Sequence, residues 1–272
     1  MNFGYRRARN TAGVLAAGIA AVFTFEIIDL SIQVQQYYSG WFMIFLMAIL
    51  VVFYVKKRLI VVGMGSGGNW AQWHYYIGLF LFIIYLKHVE FSFPDGLVES
   101  TITVFYLIVM ISGVCGVFIN RVFARRLSYL EEDIIYERIP VHLKKLRHDV
   151  EGLIIDSVEN SGSTTLSDYY LQHLAGYFEK PQFFFTHLLG SNYGFLRVKD
   201  GLDRQMRYLN KKEAEYALNL NNMLQKKNLL DTHLALQRVL KYWGTLHFPM
   251  ALILVLVTFV HVVLVYAFRG AA

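Results

Sequence analysis

One cysteine is all this sequence has, Cys115, and it stands in an apolar run. A disulfide framework is thereby excluded, and so is a cysteine-ligated zinc or iron–sulfur centre within the chain. Charge is sparse as well: 17% of residues are Asp, Glu, Lys or Arg, against 56% hydrophobic. Nothing resembles a flavin or nicotinamide domain, so the chain has no means of its own to take electrons from a nicotinamide cofactor. No serine, histidine and acid constellation suggests a hydrolase. The start, MNFGYRRARN before an apolar stretch, lacks a convincing cleavage site and reads as a retained first span.

The apolar residues fall in long blocks, the pattern of a membrane protein and not of one globular core. A bilayer crossing takes roughly 20 apolar residues. Five candidate spans emerge, at about 11–30, 40–55, 72–91, 100–119 and 245–268. Basic residues set their orientation. Arg6, Arg7 and Arg9 precede the first span, Lys56, Lys57 and Arg58 follow the second, and Arg121, Arg125 and Arg126 follow the fourth. The intervening loops carry no Lys or Arg, so the positive-inside bias puts the N-terminus, 56–71 and 120–244 in the cytoplasm and the C-terminus outside. This also explains much of the net charge of +6 without a nucleic-acid partner.

The interval 120–244 reads as mostly helical. Residues 202–242 have one charged face and Leu repeats at spacings of three and four, and are expected to run into the fifth span. Residues 158–168 read as a loop, and 178–196, with Pro181, Gly190 and Gly194, as irregular. The fold class expected is all-α and integral to the membrane. It comprises a haem-binding bundle of five transmembrane helices, made by domains 1–119 and 245–272, with a helical cytoplasmic insertion at 120–244.

Four of the nine histidines lie in or at the ends of apolar spans. His74 and His88 are 14 apart on the third span, and His247 and His261 are 14 apart on the fifth. At ~100° and ~1.5 Å per residue, 14 steps bring a helix within ~40° of four full turns and climb ~21 Å. Each pair therefore shares one helix face, with a member near each membrane surface. The two spans run parallel, so His74 can face His247 inside and His88 can face His261 outside. Two imidazoles at each of two levels would suit the axial ligation of two haem b irons. An intramembrane histidine can also line a helix contact or a proton path. His173 and His187, and His233 and His247, repeat the spacing of 14. Pro181 breaks the first pair, and His233 lies in a charged helix.

The paired His–x13–His pattern, on spans separated by one other, resembles the diheme transmembrane cytochromes b, the layout of quinol-oxidising cytochrome b and of ferric reductase membrane domains. The resemblance covers spans two to five and leaves 120–244 unassigned. It implies two haem b groups held by His74, His88, His247 and His261. Gly78, Gly113 and Gly116 could admit a macrocycle close to the helix backbone, although small residues also serve ordinary helix packing. Lys57, Arg58, Arg121 and Arg125 inside, and Lys87 and Arg269 outside, could pair with propionates; topology and snorkelling explain most of them equally. Trp70, Trp73, Tyr75, Tyr76 and Trp243 read as an interfacial belt.

GMGSGG at 63–68 matches a dinucleotide fingerprint in letters only, because a membrane span and not a βαβ unit follows it. His142 and His148 lie in a basic run better suited to solvent or anionic headgroups. The expected function is a membrane subunit exchanging electrons between a quinone pool and a partner redox subunit, with Glu90 and Asp95 as candidates for handling protons. The alternatives are a quinone-independent transmembrane reductase and a haem-free transporter or assembly scaffold.

Overall fold

The computed structural model describes residues 3–32, 35–59, 67–130 and 132–268, and its regular elements are all helical. Arg269 and residues 63–66 lie outside the described residues, as do the side chains of Arg6, Arg7, Lys56, Lys57, Arg58 and Trp70. The chain divides into two compact units, Met1–Val117 with Thr245–Ala272, and Phe118–Gly244.

The first unit contains α1 (Phe3–Ile32), α2 (Gln35–Leu59), α3 (Gly67–His88), most of α4 (Leu97–Ile119) and the end of α11 (Lys211–Phe268). The helices α1, α2 and α3 pack on one another. A side chain at Gly18 would run into Ile83 of α3, so α1 makes its close approach through a small residue. The core is built from Leu46 of α2, Leu81 and Tyr85 of α3, Tyr106 of α4 and Leu254 of α11. Tyr85 and Tyr106 stack with centroids 4.0 Å apart, and the Tyr85 hydroxyl donates to Thr103 Oγ1 at 2.8 Å. A buried phenol thus keeps its hydrogen bond.

Three helices among the described residues, and not five, are long and apolar enough to cross a membrane: Ala8–Ile28, Leu97–Leu127 and Lys211–Phe268. Among the described residues α2 adds a shorter apolar stretch, Tyr37–Val52, within a helix that continues to Leu59. The helix α3 is not among the three, and carries polar residues at both ends, Gln72 and His74 near its start and Lys87 and His88 in its last turn. What stands is an all-α chain with candidate membrane-spanning helices, as an integral membrane protein requires.

The second unit begins with the end of α4, a π-helical turn at Asn120–Ala124 and the short α5 (Arg125–Leu127). It continues through α6 (Ile139–Ser161), α7 (Thr165–Tyr169), α8 (Ala175–Glu179), α9 (Phe184–Leu189), α10 (Tyr193–Gln205) and the first part of α11. The helix α6 buries Leu146, Val150 and Ile154, a stripe with a period of four. This stripe meets Leu166, Tyr170, Leu174, Leu202, Ala217, Leu220 and Leu224.

The expected loop at 158–168 shrinks, because α6 runs to Ser161 and ends on Gly162 in the left-handed conformation. The interval 178–196 holds α9 and the start of α10, broken at Gly190. A capping box starts α11: Asn210 Oδ1 accepts from the Glu213 N–H at 2.8 Å, and Glu213 Oε2 accepts from the Asn210 N–H at 3.1 Å. Glu213 is buried, and its Oε1 also takes the Leu166 N–H at 3.2 Å. From there α11 continues without a break, through Pro249, into its apolar end.

Candidate functional site: paired histidines at two levels

Helix rise separates the histidines of α3, and those of α11, by ~21 Å within each helix. Across the helices, His74 and His247 are near enough to interact electrostatically, and so are His88 and His261.

A Ser-Gly dipeptide serves one histidine at each level. At the first, Ser112 Oγ of α4 lies 2.7 Å from His247 Nδ1. A Cβ at Gly113, the next residue, would stand 3.7 Å from His247 Cε1. At the second, Ser39 Oγ of α2 lies 2.8 Å from His88 Nδ1, and a Cβ at Gly40 would be 3.4 Å from His88 Cε1. The hydroxyl fixes which way the ring faces, and the glycine leaves room for its edge. Sequence reasoning missed Ser39, Gly40 and Ser112; their one signal is a Ser-Gly dipeptide within an apolar block, at 39–40 and 112–113, and the same dipeptide also occurs at 66–67 and 161–162.

His261 has a charged neighbour instead. Its Nδ1 lies 3.4 Å from Glu99 Oε1 and is buried without a well-aligned hydrogen bond. A proton on His261 would therefore meet a carboxylate. Glu99 sits in the first turn of α4, and Thr103 Oγ1 donates to its carbonyl at 2.8 Å. Glu90 and Asp95, the acids expected to handle protons, are exposed residues of the turn before α4. Leu97, Val98 and Thr101 of α4 and Leu256, Val257 and Val260 of α11 line an open apolar groove, with Val98 and Val260 next in sequence to Glu99 and His261.

Among the other expected site residues, Lys87 forms an ion pair with Glu26 of α1. Gly116 is buried in α4, whereas a Cβ at Gly78 would meet nothing within 4 Å. Arg121 is exposed in the π-helical turn and belongs to the other unit.

The expectation of two haem b groups, with the iron, haem and metal-binding assignment that accompanied it, is corrected. Among the described residues, no group of three or more His, Cys, Asp or Glu side chains is placed to hold a metal ion. No family model, curated protein or solved structure matches the chain. The likeness to diheme cytochromes b therefore extends only to an all-α chain with long apolar helices.

Proposed function

We propose that this chain is the membrane subunit of a larger redox complex, passing reducing equivalents between a membrane quinone and a partner redox subunit. One observation carries the reading: an acid and an imidazole, Glu99 and His261, stand side by side on candidate membrane helices, each next in sequence to a residue, Val98 or Val260, that lines an apolar groove. A quinone needs that combination, an apolar surface for ring and tail with acid–base groups at its oxygens. Oxidation of the quinol releases two protons and two electrons. Glu99 and His261 take the protons from the ring hydroxyls, the electrons pass to an acceptor centre of the partner subunit, and quinone returns to the bilayer. Quinone reduction is the same sequence reversed.

In this reading α2 and α3, which pack against α1, cross the bilayer alongside the three long apolar helices, making five crossings by the chain. Its N-terminus and residues 120–244 are cytoplasmic and its C-terminus is external, following the basic clusters at the helix ends.

The test is photolabelling of the full chain in lipid vesicles with an azidoquinone. Labelling at Thr101 and Val257 that excess decylubiquinone suppresses, and that Glu99→Gln weakens at least several-fold, supports the reading. Labelling that is absent there, or indifferent to the competitor, overturns it.

The histidine pairs at two depths also favour a second reading, a proton-conducting membrane protein without redox chemistry. A pH-sensitive dye trapped in the same vesicles separates the two. Proton uptake that needs no quinone and is lost in His261→Phe would support conduction.

A further inference from the structure

The short helix α9 leaves its apolar side uncovered. Phe185 and Leu189, one turn apart, are 75% and 84% exposed, and Tyr193 at the start of α10 is 70% exposed. Phe185 and Leu189 share one side of α9, and an apolar helix side left open marks an interaction surface.

Its position indicates the partner. Arg126 stands at the end of the apolar helix Leu97–Leu127, and its guanidinium donates to the carbonyls of His187 and Leu188, each at 2.6 Å. The guanidinium thereby closes off the C-terminal end of α9, where carbonyls are left without helical partners. Gly190 follows with φ 77°, and a Cβ there would lie 3.4 Å from Arg126 Cζ, so the close approach depends on glycine. An arginine at the end of a membrane helix reaches the headgroup layer. Whatever it grips lies at that depth.

We propose that α9 is an interfacial anchor, with Phe185, Leu189 and Tyr193 inserted among the lipid headgroups and upper acyl chains. An aromatic and aliphatic face suits that layer, where apolar bodies enter lipid and the Tyr193 hydroxyl stays wet. Arg197 and Lys199 follow in α10 and suit anionic headgroups.

Site-directed spin labelling tests this on the full chain in vesicles of phosphatidylcholine and phosphatidylglycerol, with Cys115 replaced by serine. Labels at Leu189→Cys and Phe185→Cys are compared with two references: Val114→Cys, on the exposed face of the membrane helix α4, and Asn219→Cys, on the exposed face of α11 in the second unit. Collision with oxygen and with a water-soluble nickel chelate is measured at each.

The anchor predicts an oxygen-to-nickel ratio at 185 and 189 several-fold above that at 219 and approaching that at 114. Arg126→Gln should lower the ratio at 189 while leaving 219 unchanged. Nickel access equal to that at 219 places α9 in water and overturns the proposal. Poor access to both reagents places it against protein, and overturns it equally.

Discussion

Asp231→Ala should cripple the second unit, because it strands a buried ammonium. Lys227 and Asp231 are successive-turn neighbours on α11, with Nζ and Oδ2 2.5 Å apart and both side chains 1% exposed. Asp231 also accepts the Gln182 N–H at 3.2 Å. Without the carboxylate, Lys227 retains the Lys180 carbonyl at 3.1 Å and the Tyr177 ring at 4.9 Å, neither of which carries a compensating charge. Leaving one member of a buried ion pair unpaired costs about 3–5 kcal/mol.

The readout is hydrogen exchange of the core amides around Val150, Leu202 and Leu224, measured on the intact chain. At about 1.4 kcal/mol per tenfold, exchange should quicken by roughly 140- to 3,700-fold. Replacing both partners, Lys227→Met with Asp231→Leu, removes the uncompensated charge and should restore most of the protection. If Asp231→Ala changed exchange by less than roughly fivefold, which is about 1 kcal/mol, the reasoning from charge burial would fail.

His187 should make the same unit sensitive to acid. Burial, with Lys227 and Arg126 nearby, holds its imidazole below the ordinary histidine range. The unfolded chain therefore binds this proton first, so stability is intact above about pH 6.5 and falls as pH drops below it. His187→Gln should flatten that part of the exchange-versus-pH curve. Glu213→Ala leaves the Leu166 N–H without its acceptor and removes half of the capping box. It should cost about 1–3 kcal/mol by the same exchange measurement. Gly190→Ala forces a side chain into the left-handed region against Arg126, so α9 should loosen and become more readily cleaved by protease. Gly113→Ala should be tolerated at a 3.7 Å approach to the His247 ring. Gly113→Leu should displace that ring, read as a lower melting temperature in detergent.

Long-period patterns were legible because they are local. The apolar blocks announced helices, and the spacing of 14 announced a shared face, since rise and rotation per residue depend on the backbone alone. The helical character of residues 202–242 and their run into the last apolar segment followed from the same periodicity, although the capping box places the start at Lys211. Five apolar blocks read as spans, whereas three helices among the described residues are long and apolar enough to cross; polar residues at both ends of α3, Gln72 and His74 and then Lys87 and His88, flank its apolar middle. The break at 178–196 was visible in Pro181 and Gly190, whereas the helix between them was too short to show a period.

By itself, the sequence determined an all-α chain with apolar helices of membrane length, because those properties depend on which residues follow one another. Tertiary structure alone decided which side chains His88, His247 and His261 meet: Ser39, Ser112 and Glu99 come from other helices, at separations of 49, 135 and 162 positions. It also decided that Arg126 grips α9 and that Lys227 and Asp231, already neighbours one turn apart on α11, are shut in a dry interior. Partners on different helices, and the burial of a pair on one helix, depend on how helices pack in space, which no periodicity along a single helix encodes.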